Sequence, residues 1–224
     1  MEKIGMSDFT IHLVPGSPFA RAVQATLEEK GAAYRLAALP SGGSKQPEHL
    51  ARHPFGRVPV LDHGAFRLYE TQAILRYLDR TLPSPALTPS DPELAARMDQ
   101  VMNVSDWYLF QGVNNVIGYH RIVRPMLMGL QPDEEAIAAC MPKADIVFGE
   151  IARLLGDKPY LAGERLTLAD LHVAPQMSFL AMTPEWQKLT AERPNLAAWL
   201  TRMEARPSFQ ATTMERTKER AMAA

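Results

Sequence analysis

The stretch HPFGRVPVLDHGAFRLYETQAILRYL, from His53 to Leu78, decides how this chain folds. Val58-Pro59 sits inside an apolar run, VPVL, that otherwise reads as a strand. Proline donates nothing to a sheet ladder, so it belongs at an edge, a bulge or a strand start. A proline in such a place is a candidate for a cis bond in a tight turn. His63-Gly64 reads as a hairpin turn, because glycine accepts positive φ. Phe66 to Leu68 returns as a strand, and Glu70-Thr71 opens a helix. The unit presents a strand edge beside a helix N-terminus, which suits a short peptide carrying a carboxylate.

Upstream, Phe9 to Val14 alternates and is rich in β-formers, so it reads as a strand. Pro15-Gly16 breaks it. Ser17 follows as an N-cap, with Pro18 at the first helical position. The helix runs to about Lys30 and ends at Gly31. Tyr34 to Leu39 is a second strand, Ser41 to Gln46 a polar loop, and Leu50 lies on a short helix. Downstream, prolines at 83, 85, 89 and 92 mark a boundary. Beyond it the periodicity predicts helices over Glu93–Tyr119, bent near Gly112, and over Asp133–Leu155, Thr167–Ala181 and Asn195–Glu204. The expected domains are 6–83 (small α/β), a linker at 84–92, and 93–224 (all-α). Met6 is an alternative start.

A formal net charge of -1 over 224 residues argues against a nucleic-acid or anionic-membrane partner. No apolar run approaches the roughly 20 residues that span a bilayer. The N-terminus lacks the apolar centre of a signal peptide, so a cytoplasmic protein is expected. Cys140 is the only cysteine. It excludes an internal disulfide, a CxxC motif and a cysteine-based metal site, and reads as a structural thiol.

Several residues carry candidate chemistry. The Ser17 hydroxyl meets the free N–H groups and positive end of a helix dipole, an environment that stabilises a thiolate; it also serves as a plain cap. Thr71, with first-turn N–H groups, suits a carboxylate, and Glu70 an ammonium group; capping is the competing role. Lys45 on the polar loop either pairs a second carboxylate or is simply solvated. Thr167 and Asp170 form a capping-box pattern, with Leu166 and Leu171 spaced for a hydrophobic staple; this is a folding signal. On the long helix, Met98, Met102, Ser105, Leu109, Val113 and Ile117 make one mostly apolar stripe. Trp107, Tyr108, Phe110, Asn114, Asn115 and Tyr119 lie partly off it. They line a cleft for an apolar ligand, or a subunit interface, or pack ordinarily.

Together SPFARAVQATLEEKG from Ser17, HPFGRVPVL from His53, YETQAILRYL from Tyr69, YLAGERLTLADL from Tyr160 and PNLAAWLTRMEARPSF from Pro194 resemble the soluble, cytosolic glutathione transferase superfamily. The resemblance covers nearly the whole chain and points to a serine-type, bacterial-like member. It implies a thioredoxin-like α/β domain with Pro59 cis, followed by an all-helical domain. It implies glutathione as co-substrate along the edge beside Val58, whose backbone pairs with the cysteinyl unit. Glu70 and Thr71 would hold the γ-glutamyl end, Lys45 the glycine carboxylate, and Ser17 the sulfur. Ser17-Pro18-Phe19 matches the serine position of the plant phi and tau classes, whereas beta- and omega-type relatives carry cysteine there. His53 and Arg57 stand where the family usually has Asn and Gln, and Thr71 where it has Ser.

The activity so implied is detoxification by attack of the glutathione thiolate on small apolar electrophiles. The acceptor pocket would lie between the domains, near Tyr108, Phe110, Asn114 and Tyr119. A homodimer is implied, with the helices starting near Glu70 and Glu93 at its interface. The competing functions are a non-enzymatic binding or scaffold protein of the same fold, and a glutathione-dependent isomerase, lyase or dehalogenase.

Overall fold

The computed structural model describes residues 8–82 and 84–223. Met6 and the expected domain limits at 6 and 83 fall outside them. The chain forms two compact units. The first takes the described residues up to Ala86 together with those from Ala205 onward; the second is Leu87–Glu204. The expected division was 6–83, 84–92 and 93–224, so residues from 205 onward group differently from that expectation.

In the first unit, β1 (Phe9–Leu13), α1 (Pro18–Glu29), β2 (Arg35–Ala38), a 3₁₀ turn (Gly43–Lys45) and α2 (Pro47–Leu50) precede β3 (Val60–His63), β4 (Phe66–Tyr69) and α3 (Thr71–Thr81). The sheet order is β2-β1-β3-β4, with β2 parallel to β1 and the other neighbours antiparallel. This is a thioredoxin-like domain. Ile11, Leu13, Val60 and Leu61 from the sheet are fully buried, as are Val23 and Leu27 of α1 and Ile74, Leu75 and Leu78 of α3. Burial of such side chains contributes about 1.5–3 kcal/mol each.

Local chemistry explains the element ends. Ser17 caps α1, its Oγ accepting from the Ala20 N–H at 3.3 Å, with Pro18 behind it. At the other end Gly31 takes φ 62°, and the Gly31 and Ala32 N–H groups reach the Glu28 and Leu27 carbonyls. That is the paired bonding of a Schellman motif. The hairpin register pairs His63 with Phe66, so the turn is Gly64-Ala65, one residue later than the sequence suggested, with φ 58° at Gly64. Asp62 ties three strands together, accepting from Arg67 on β4 and bonding His12 on β1. Val58-Pro59 is cis, as the sequence implied.

The tail returns to this unit through α10 (Pro207–Gln210) and α11 (Met214–Met222). Phe209 is fully buried, under the Arg21 guanidinium at 4.9 Å. Arg206 forms a forked pair with Glu29, Thr217 bonds Gln24, and Arg220 reaches Glu28 and the Tyr34 hydroxyl.

The second unit is helical. One long helix runs through α4 (Pro92–Val104), a segment of wide i→i+5 turns (Ser105–Val123) and α5 (Arg124–Met128). The sequence predicted this helix with a bend near Gly112. Its turns widen from Ser105, and the end of the Lys143 side chain lies against Gly112, where a Cβ would stand 2.5 Å from the Lys143 Cε. The predicted stripe of Met98, Met102, Ser105, Leu109, Val113 and Ile117 is buried throughout. Next come α6 (Glu134–Leu155), α7 (Leu168–Ala181), α8 (Glu185–Thr190) and α9 (Pro194–Glu204). Asp133 caps α6 by accepting from the Ala136 N–H. Cys140 is buried, its thiol donating to the Gly112 carbonyl, and burial pushes its pKa up. Asp170 does more than the capping box asks. Oδ2 accepts from the Thr167 N–H and hydroxyl, and Oδ1 from the Leu161 N–H and Trp199 Nε1.

Candidate functional site

The sheet register gathers the predicted residues of the first unit at one end. His12, Val60 and Tyr69 form one row across β1, β3 and β4. Ser17 follows β1 there, Val58 leads into β3 there, and Glu70 leaves β4 there. β2 runs parallel to β1, so the turn holding Lys45 also follows from this end.

Ser17 is delivered by a tight turn. Its N–H returns to the Val14 carbonyl at 3.1 Å, with Pro15 and Gly16 between and φ 90° at Gly16. That is the residue pattern of a type II turn, which needs positive φ at its third position. Ser17 is half-buried. The cap bond uses a lone pair of Oγ, so the hydroxyl keeps its own hydrogen to donate. Capping and thiolate stabilisation are therefore compatible.

Glu70 precedes α3 at φ 71°, the one positive φ outside glycine among the described residues. Holding a non-glycine residue there costs on the order of 1–3 kcal/mol, and such strain collects at functional sites. Its side chain is exposed and caps nothing in α3, which removes the capping role weighed from sequence. Thr71 is buried at the first position of that helix, where backbone N–H groups lack intrahelical acceptors. Lys45 is exposed, its Nζ donating to the Phe55 carbonyl at 3.3 Å. Val58 precedes the first laddered residue of β3.

His53 emerged from the sequence only as a departure from the family pattern. It is 2 % exposed and packs on Tyr69 with ring centroids 4.6 Å apart. Burial lowers its pKa, partly opposed by the Glu70 carboxylate, while His49, Arg57 and Lys45 push the same way as burial. A separate cavity of about 300 Å³ is lined by His12, Leu39, Gln46, His49 and Arg52 and shares no residue with the predicted set.

In the second unit the wide-turn segment sorts the expected acceptor residues. Tyr108 is 56 % exposed. Phe110 and Tyr119 are half-buried, and the Tyr119 hydroxyl contacts the Met128 sulfur at 3.8 Å. Asn114 is buried, its amide donating to the Gln176 carbonyl of α7, so it serves helix packing. No group of residues suited to a metal ion occurs among the described residues, and no helix there is long and apolar enough to cross a membrane.

Residues 12–86 match the glutathione S-transferase N-terminal domain and 116–207 the C-terminal domain. A protein of Oryza sativa subsp. japonica named probable glutathione S-transferase GSTF2 is 36% identical over 189 residues, 83% of this chain and 86% of its own length. Among solved structures, glutathione transferase F7 from Populus trichocarpa is 27% identical with a TM-score of 0.82, covering 95% of this chain and 99% of that one. Glutathione S-transferase I from mais, in complex with an atrazine glutathione conjugate, is 29% identical with a TM-score of 0.81, covering 94% and 98%. These are plant proteins, where the sequence pointed to a bacterial-like member. Matched by both domains and by a relative along most of its length, the chain belongs to the glutathione S-transferase family.

Proposed function

We propose that this chain conjugates the glutathione thiolate to small apolar electrophiles, with Ser17 as the sulfur's hydrogen-bond donor. The observation that carries this is the convergence of Ser17, Val58, Glu70 and the Lys45 turn on one end of the sheet. Glutathione offers one ammonium and two carboxylates around a thiol. Glu70 is the anion for the ammonium, Thr71 and the α3 N-terminus receive the γ-glutamyl carboxylate, and Lys45 the glycine carboxylate. The Val58 backbone, just ahead of the β3 ladder, pairs with the cysteinyl unit as an added strand would. Ser17 then donates to the sulfur beside the α1 N-terminus, so that the thiol ionises near neutral pH and attacks the electrophilic carbon. Tyr108, Phe110 and Tyr119 supply the acceptor surface, with Asn114 supporting it from the packed side. Turnover of glutathione with a generic electrophile tests the reading; a folded, glutathione-binding protein with no turnover sinks it.

Glu70→Ala separates binding from chemistry. Its charge contact lies far from the sulfur and is alike in ground and transition states, so it acts on KM. Loss of a charge-assisted bond worth about 1.5–3 kcal/mol corresponds to a roughly 10- to 100-fold rise in KM for glutathione. A large fall in kcat at unchanged KM contradicts the assignment.

The protein is proposed to act in the cytoplasm as a homodimer, with α3 and α4 at the interface. Sedimentation at micromolar concentration is expected to give twice the 24.9 kDa chain mass, and a monomer alone rules the dimer out.

A further inference from the structure

We infer that Met214, at the start of α11, is a positioning residue for Ser17. The inference rests on Ser17 being the sulfur's donor. Gly16 immediately precedes Ser17 in the turn that delivers it. A Cβ built on Gly16 would stand 3.1 Å from the Met214 sulfur and 3.6 Å from its Cγ and Cε. The Met214 side chain therefore lies flat against the open face of that glycine. Gly16 is held at φ 90°, a conformation that side-chain-bearing residues rarely adopt, so the turn's shape and the room for Met214 depend on the same residue.

Met214 is itself placed firmly. Thr213 caps α11 by accepting from the Arg216 N–H at 3.2 Å. Farther along, Thr217 bonds Gln24 of α1, while Arg220 pairs with Glu28 and lies over the Tyr34 ring at 4.4 Å. Gln24 and Glu28 lie on the helix that Ser17 caps. One helix thus carries the hydroxyl and anchors the thioether that backs its turn. Methionine is an unbranched, adaptable filler, which suits a contact with bare backbone. Removing it frees the Pro15-Gly16 corner on one side. Misplacing a catalytic group by about 1 Å can cost on the order of 10²-fold.

The experiment compares Met214→Ala, Met214→Leu and Ser17→Ala in the full chain. It reads the titration midpoint of bound glutathione thiol, kcat with a generic electrophile, KM for glutathione and the denaturation midpoint. Met214→Ala is expected to raise the thiol midpoint and lower kcat at neutral pH by roughly 10-fold or more, with KM little changed. Met214→Leu, close in volume, is expected to restore both. A Met214→Ala protein that loses stability but keeps the wild-type thiol midpoint and kcat overturns the inference. If Ser17→Ala also leaves the thiol midpoint unmoved, the Ser17 assignment fails, and this inference with it. A shift in Ser17→Ala without one in Met214→Ala removes Met214 alone.

Discussion

Replacing Ser17 by alanine is expected to cut kcat at neutral pH by about 10- to 10³-fold, the range for losing one preorganised donor. A free thiol ionises near pH ~8.5, so at pH 7 the reactive form must be favoured by its surroundings. The geometry leaves the hydroxyl able to do this: Oγ accepts from the Ala20 N–H and still has its hydrogen to give. Without it, the pKa of bound glutathione rises toward the free value. The defect should therefore be greatest at and below neutral pH and shrink above pH ~9, where the thiol ionises unaided. Affinity for glutathione should change little, because Lys45, Val58, Glu70 and Thr71 remain. The mutant also loses an N-cap, at about 1 kcal/mol of stability. The two effects separate by measurement: a thiolate absorbance titration reads the first and a denaturation curve the second. Identical titration midpoints for wild type and mutant would reduce Ser17 to a cap.

The second large effect is on folding. Asp170→Ala is expected to lower stability by about 3–5 kcal/mol, well beyond the 0.5–2 kcal/mol of a lost cap. The reason is the number of partners. The Thr167 N–H and hydroxyl, the Leu161 N–H and Trp199 Nε1 all donate to this one fully buried carboxylate. A buried donor left without an acceptor costs about 1–3 kcal/mol, and partial relaxation keeps the sum below four such losses. For a domain of typical stability, about 5–15 kcal/mol, that is a large share. Thr167→Ala removes one donor and should cost about 1 kcal/mol, and Trp199→Phe should fall between the two. Urea midpoints at unchanged slope read all three, and equal midpoints for Thr167→Ala and Asp170→Ala would show that the pair is a cap and nothing more.

Much of this architecture could be read from local chemistry. Ser17-Pro18 and Gly31 bound α1, Val58-Pro59 marks the entry to β3, and Thr167 starts the α7 cap because each acts within a few residues of itself. Ser17, Glu70 and Thr71 could be placed for the same reason, since each stands at a helix start, whereas the roles expected of Val58 and Lys45 came from the family resemblance. What could not be read depends on partners distant in sequence. Residues 205–223 join the first unit through one buried aromatic, Phe209, and through ion pairs of Arg206 with Glu29 and Arg220 with Glu28, partners more than 170 residues away in sequence. Asn114 finds the Gln176 carbonyl 62 residues away, so its burial was invisible on its own helix. The widening after Ser105 has no residue code at all. Gly112 suggested a bend because an isolated glycine in a helix often marks one; what its own helix could not show is that the end of the Lys143 side chain lies against it.

The return of α10 and α11 to the first unit sets an order on biosynthesis. The ribosome releases residues 8–86 before the segment that will cover α1. All of Leu87–Glu204 must emerge in between, which at about 5–20 residues per second takes on the order of ten seconds. During that interval the α1 surface destined for Phe209 is bare, and the Gly16 corner has nothing behind it. The second unit, continuous in sequence, has every one of its residues first. The Pro15-Gly16 corner is thus among the first parts of the chain to be made and among the last to be finished.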